Sequence, residues 1–403
     1  SDAMVPVASV KVSGLPSGFK FSGAKPVTTK VGSGQDKHLV TNVPPNTIYG
    51  YPSAASKKSK TSDGLEPSKV TITVTTDGKV SQTFTWLMTV HPLPAWAVGT
   101  FNGTATFDGG QSASTLTVGS NGKVSGSFST YDEETKKTSK WSYSGSGFDE
   151  AGDFEVGEDG VAHVGSLAAT LTAKSGKLAK AVSVLIEPTG REDGPSSARA
   201  EGGFRDVAGD EEEDVTGAGD FRMWRNVWKD KGATDSCKSM QGLYNVQLDA
   251  GDLGCGYLSL KVDAKGGVKV SGKLPDGTSA SGSLALVYDA PDGGDDDPRV
   301  FFAPWFMSPS AYKGGYVSGI LRFGAEPAEG VTGDAEWVNR SPTASEAYGV
   351  PFVGSLAIQG SFYDKEKKLH EFYNALGVET DVPELPYSYK RTYDEDGTKR
   401  TEV

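Results

Sequence analysis

Apolar and polar residues alternate along most of this chain, in short runs broken by glycine. Val70-Thr-Ile72-Thr-Val74 places three aliphatic side chains on one face, and Phe84-Thr-Trp86-Leu-Met88-Thr-Val90 alternates again after an Asp77-Gly78 turn. A period of two is the mark of a half-buried strand. Gly99-Thr-Phe101-Asn-Gly103-Thr-Ala105-Thr-Phe107 predicts another. Thr115-Leu116-Thr-Val118 and Lys123-Val124-Ser-Gly126-Ser-Phe128 flank Asn121-Gly122, a strong two-residue hairpin signal. Trp141-Ser-Tyr143, Phe154-Glu-Val156 and the segments 167–171 and 181–186 read as further strands. The pattern is densest over residues 242–337, from Gly242-Leu-Tyr244-Asn-Val246-Gln-Leu248 to Gly333-Asp-Ala-Glu-Trp337. One short helix is predicted over 366–376, where Leu369, Phe372, Tyr373 and Leu376 recur at helical spacing.

These elements predict an all-β protein: an N-terminal Ig-like β-sandwich over residues 1–95, then two related antiparallel β-meander or barrel-like units over 96–235 and 236–403. Pro92-Leu-Pro94 reads as a semi-rigid linker, and 187–214 as a long loop rich in Gly, Ser, Asp and Glu. Gly99-Thr-Phe101 answers Gly242-Leu-Tyr244, and Val124-Ser-Gly126 answers Val270-Ser-Gly272 at nearly the same spacing. Gly219-Asp-Phe-Arg-Met-Trp224 parallels Gly333-Asp-Ala-Glu-Trp337 at a shorter one. Two related copies account for this spacing. They are either two small barrels or two halves of one closed barrel. A continuous barrel-like pair sharing a hydrophobic seam is the preferred expectation, because closure removes exposed sheet edges.

Gly14-Leu15-Pro16-Ser-Gly18-Phe19-Lys-Phe21, Ile48-Tyr-Gly50-Tyr-Pro52 and Phe84 to Val90 follow one another in a recognisable order. In these blocks the leading segment resembles the immunoglobulin-like module of bacterial surface proteins known as He-PIG. The stretch between Phe21 and Ile48 is longer than that pattern, and 55–65 is a Lys/Ser-rich insertion. The resemblance implies a spacer or binding sandwich with no catalytic residues. Gly242 to Tyr244, Gly254 to Asp263, Gly266 to Thr278, Lys313 to Leu321 and Gly333 to Trp337 are similar to a glycine-rich β-repeat of large exported bacterial proteins, with Cys255 where an aromatic is common. That resemblance implies export and a surface or adhesive setting, and no activity.

The chain has 403 residues and 52 glycines, with 36% hydrophobic and 10% aromatic residues, enough for real cores. A net charge of −12 repels phosphate backbones and anionic lipids, so nucleic acid is not an expected partner. Two cysteines, Cys237 and Cys255, make neither a disulfide scaffold nor a zinc module. A single bridge between them would need 236–241 to turn back on the hairpin that follows. No apolar run approaches the ~20 residues of a membrane helix. Ser1-Asp2-Ala3 reads as an expression scar, with a native leader expected to have been removed ahead of it.

Candidate chemistry is sparse. His38, His91, His163 and His370 are scattered and form no metal or protease motif. Tyr143-Ser-Gly145-Ser-Gly147 imitates a nucleophile elbow but lies among strands. Asp292-Gly-Gly-Asp295-Asp-Asp297 and Asp210-Glu-Glu-Glu-Asp214 cluster oxygen ligands of the kind that suits Ca2+, without helix-loop calcium spacing; solvated loops are the plainer reading. Trp224, Trp228, Phe302 and Trp305, with Phe301 and Phe306, are candidates for stacking on sugar rings; core packing opposite glycines is the plainer reading. The expected function is therefore that of a non-enzymatic, exported surface protein with a structural or adhesive role. Its partner would be surface polysaccharide or another surface protein. Sugar binding through an exposed aromatic platform is the alternative, and a carboxylate-pair glycan enzyme the remoter one.

Overall fold

The computed structural model describes residues 7–31, 38–58, 64–108, 110–157, 162–189, 197–206, 218–230, 237–290, 300–341, 351–363, 392–393 and 399–400. Among these, strands dominate and helix is limited to short turns. The helix predicted over 366–376 lies outside the described residues. Ser1–Phe362 form one compact unit and Tyr363–Val403 a second. No helix among the described residues is long and apolar enough to cross a membrane.

The leading module contains β1 (Val7–Ser13), β2 (Phe19–Phe21), β3 (Val27–Val31), β4 (His38–Val43), β5 (Ile48–Gly50), β6 (Ser68–Thr76) and β7 (Ser81–Met88). They form a three-stranded sheet, β1-β6-β7, and two strand pairs, β2–β5 and β3–β4. Across β6 and β7, Val70 faces Trp86 and Ile72 faces Phe84, as the alternation predicts. Val70 is fully buried, while Phe84 and Trp86 each keep 48% of their surface exposed.

The next strands are β8 (Gly99–Phe107), β9 (Gly110–Val118), β10 (Val124–Asp132), β11 (Lys137–Gly145), β12 (Glu150–Gly152), β13 (Glu155–Val156), β14 (Ala162–His163), β15 (Ser166–Ser175), β16 (Leu178–Pro188), β17 (Ala198–Asp206) and β18 (Gly219–Arg225). Eight of them make a closed up-and-down barrel in the order β8-β9-β10-β11-β15-β16-β17-β18, with β18 returning to β8. Phe101, Leu116, Phe128, Trp141, Val182 and Phe204 fill its interior. Bulky rings lie across from glycines that make room for them: Tyr143 opposite Gly126 and Phe221 opposite Gly202. A side chain at Gly126 would sit 2.2 Å from the Tyr143 ring, so this cross-strand pair is matched in size. Lys180 is buried in the wall, where it pairs with Asp206 at 2.6 Å and lies over the Trp141 ring at 5.0 Å.

The second barrel contains β19 (Gly242–Asp249), β20 (Cys255–Val262), β21 (Gly267–Lys273), β22 (Ser279–Ala285), β23 (Val287–Asp289), β24 (Val300–Met307), β25 (Tyr316–Phe323), β26 (Val331–Asn339) and β27 (Phe352–Tyr363). Its first and last strands, β19 and β27, lie side by side. The sheet is nearly closed; the ladder is interrupted between β22 and β24. Pro304, in the middle of β24, has no N–H to give at that edge, while its pairing with β25 runs unbroken. Tyr244, Leu260, Trp305, Phe323, Trp337 and Leu356 pack the interior.

The chain thus forms two barrels, each returning its last strand to its own first, rather than one continuous pair. The hydrophobic seam survives as the contact between them. Gly99 and Gly242 open the first strands of the two barrels, and Val124 and Val270 lie on the third strands. The third parallel is different. Gly219 lies on the strand that closes the first barrel, whereas Gly333 lies one strand before closure in the second. This difference is why the spacing shrinks there.

Candidate functional site

The aromatic residues expected to form a platform are buried, with Trp224 at 4%, Trp228 at 2%, Phe302 at 0% and Trp305 at 2% exposure. The platform is therefore absent at these positions, for reasons set by β24 and β18. Phe301, Ala303 and Trp305 point into the second barrel, and Phe302 points out of it. Phe302 meets Trp224 edge-to-face at 5.1 Å, with Val287 beside them. Both faces of β24 are covered, so its sequence is apolar throughout instead of alternating. Trp305 sits across from Gly319.

Polar contacts flank this seam. Gln111 on β9 donates from Nε2 to Glu336 Oε2 at 3.0 Å and accepts from Ser318 Oγ at 2.7 Å. Glu336 also accepts from Tyr316 Oη at 2.7 Å. Arg340 reaches back to Glu133 at 2.6 Å and stacks on the Tyr131 ring. Ser197 donates to the Tyr288 carbonyl at 3.0 Å, and Thr189 bonds Asp289. The barrels are joined at several places. Gln111→Ala removes two of these bonds and leaves Ser318 unpaired. It is expected to cost about 1–3 kcal/mol in urea unfolding, and Gln247→Ala on an exposed strand face is the control.

Cys237 is buried and Cys255 exposed, and both are free thiols, so no bridge joins them. The hairpin β19–β20 pairs Cys255 with Asp249, while the Cys237 sulfur approaches the Asp263 carbonyl at 3.7 Å. Burial raises the Cys237 thiol to about 11. A thiol reagent at pH 8 is expected to titrate one thiol in the native protein and two in urea; two in the native state would contradict this packing.

Among the described residues no group of three or more His, Cys, Asp or Glu could hold a metal ion. Both acidic loops proposed for Ca2+, 210–214 and 292–297, lie outside the described residues, as does His370. His163 is exposed on β14. The Tyr143-to-Gly147 run belongs to β11 and the bend after it, and Tyr143 Oη donates to the Thr115 carbonyl at 3.1 Å. No strand-to-helix turn is present there.

A cleft that the sequence does not announce lies where the leading module meets one end of the first barrel. Its volume is about 310 Å3, and Tyr51, His91, Asn121, Phe148, Asp149 and Glu150 line it. Tyr51 Oη donates to Asp149 Oδ1 at 2.7 Å, and the other carboxylate oxygen accepts the Thr170 N–H at 2.6 Å. The Tyr51 ring rests on Gly147, where a Cβ would come within 2.2 Å. The bond to Asp149, and burial second, raise the Tyr51 pKa above its ordinary value. Asn121 Oδ1 accepts the Lys123 N–H at 3.2 Å, which leaves the side-chain NH2 unspent. His91 meets Phe154 edge-on at 6.1 Å. These residues come from segments remote in sequence, so neither spacing nor periodicity connects them. No family model, curated protein or solved structure matches this chain.

Proposed function

We propose that this is a non-enzymatic, exported bacterial surface protein with a structural or adhesive role, in which an Ig-like module precedes two barrels of repeated plan. The observation that carries this reading is that both barrel interiors are filled by their own side chains. Small barrels of this kind are packed cores, and what they offer partners is their outer surface. The bonded contact between the barrels supports a stiff spacer or presenting unit. The resemblances in the leading and third segments are what support an exported protein.

The test is antibody labelling of intact source cells beside permeabilised ones, with protease shaving of the intact cells in parallel. Labelling and shaving of intact cells are expected. Signal confined to permeabilised cells would overturn the surface role.

A further inference from the structure

We propose that the cleft between the leading module and the first barrel binds a neutral saccharide of one or two sugar units. The inference adds a ligand to the adhesive half of the proposed function. It is tested on purified protein, so its failure leaves the cell-surface test standing.

The argument begins with charge. The residues lining the cleft include Asp149 and Glu150 and no lysine or arginine. A phosphate, sulfate or carboxylate ligand would meet carboxylates and no lysine or arginine, which disfavours anions. Both Asp149 oxygens already hold one donor each, from Tyr51 and Thr170, whereas the Glu150 carboxylate makes no hydrogen bond or ion pair. A simple alkylammonium ion could use Glu150, but it has only N–H or C–H groups to present. It would offer no acceptor of its own to the Asn121 amide N–H2 or to the hydroxyls of Ser120 and Ser146, all in the lining. A ligand that satisfies both kinds of group must both donate and accept, and sugar hydroxyls do both.

The walls complete the match. Tyr51, Phe148 and His91 present apolar ring surface, and Tyr51 is fixed in place by Gly147 beneath it and Asp149 at its hydroxyl. A pyranose has apolar C–H faces and a polar rim, so it can set a ring face against a ring and turn hydroxyls to Asn121 and Glu150. Sites of about 300 Å3 at the junction of two modules lie at the lower end of ligand-pocket volumes, which limits the ligand to a short one.

The experiment is saturation-transfer NMR with calorimetry, using glucose, galactose, mannose, N-acetylglucosamine and their common disaccharides, with tetramethylammonium and inorganic phosphate as controls. At least one sugar is expected to saturate at millimolar concentration with little dependence on salt. Asn121→Asp keeps the oxygen that caps Lys123 and removes the free donor, so binding should weaken about tenfold with thermal stability unchanged. Glu150→Ala should weaken it similarly. Gly147→Ala, which displaces the Tyr51 ring, is a second and independent probe and should abolish binding. The proposal is overturned if no sugar in the panel saturates, if binding survives Asn121→Asp and Glu150→Ala together, or if tetramethylammonium binds in place of the sugars.

Discussion

Trp228→Ala is expected to lower the unfolding free energy by about 4 kcal/mol, the range for removing a buried tryptophan from a core. Trp228 belongs to the short segment that leaves the first barrel, yet its ring is part of the second barrel's core. Its Nε1 donates to the Leu286 carbonyl at 2.6 Å, its ring stacks on Phe301, and Gly266 passes directly beneath it. Gly266 has a φ of +73° and a Cβ there would lie 2.0 Å from the indole, so the turn and the ring fit only as a pair. Truncation leaves a cavity and a buried carbonyl without its donor, two losses that add. Urea titration of the variant beside Trp86→Ala measures the contrast. Trp86 is half exposed, and its loss should change stability by less than about 1 kcal/mol. Equal effects from the two substitutions would refute the placement of Trp228.

The second large effect is a loss of stability at alkaline pH. Tyr244 is pushed up to about 12 by burial, and Tyr143, Tyr312 and Tyr316 are raised further, burial being the first cause in each. Hydrogen bonds to Asp276 and Glu336 add to the shifts of Tyr312 and Tyr316. The unfolded chain ionises these groups at their ordinary values, near 10 for tyrosine and 8.5 for cysteine. Between those values and the folded ones, the unfolded state binds fewer protons, so stability falls as pH rises. Stability is fully present below about pH 8 and declines from there, first through Cys237 and then through the tyrosines. Each tyrosine contributes about 1.4 kcal/mol per pH unit once the unfolded form is ionised, so four of them remove about 5 kcal/mol by pH 11. That is comparable with the whole stability of many domains. Urea midpoints measured from pH 8 to pH 11, with phenolate absorbance followed in parallel, test it. Gradual ionisation of all tyrosines at pH 10 without unfolding would contradict the burial described.

Most strands were legible because each needed only local information; β17 was not, since Ala198–Asp206 falls in the stretch 187–214 that reads as a loop, and its Gly202 and Gly203 and its charged residues hide the alternation. Val70, Ile72 and Val74 share a face, Asn121-Gly122 turns a hairpin, and Gly99 and Gly242 open matching strands. The glycines were legible in kind too, since Gly126 and Gly202 answer the rings of Tyr143 and Phe221. Closure was harder to read, because pairing β18 with β8 or β27 with β19 depends on which distant strand each edge meets. The aromatic residues misled for a physical reason. A run such as Val300 to Met307 looks like a sticky surface when only one face is assumed to be covered, and the partner that covers Phe302 is Trp224 of the other barrel. The cleft was invisible because Tyr51 and Asp149 are joined by a hydrogen bond that no repeat or spacing encodes.

Each barrel takes in the chain and releases it through neighbouring strands, with Phe101 of β8 opposite Arg225 of β18. At this point Arg225 bonds the Val98 carbonyl at 2.6 Å and grips Asp230 with two further bonds. A pull on the two ends of the first barrel would therefore act on one spot at one pole, where the strands part rung by rung as a zip does. Arg225 is the catch on that zip. Once that catch is released, tension along the chain would open the first barrel from this end, one pair of β8 and β18 residues after another.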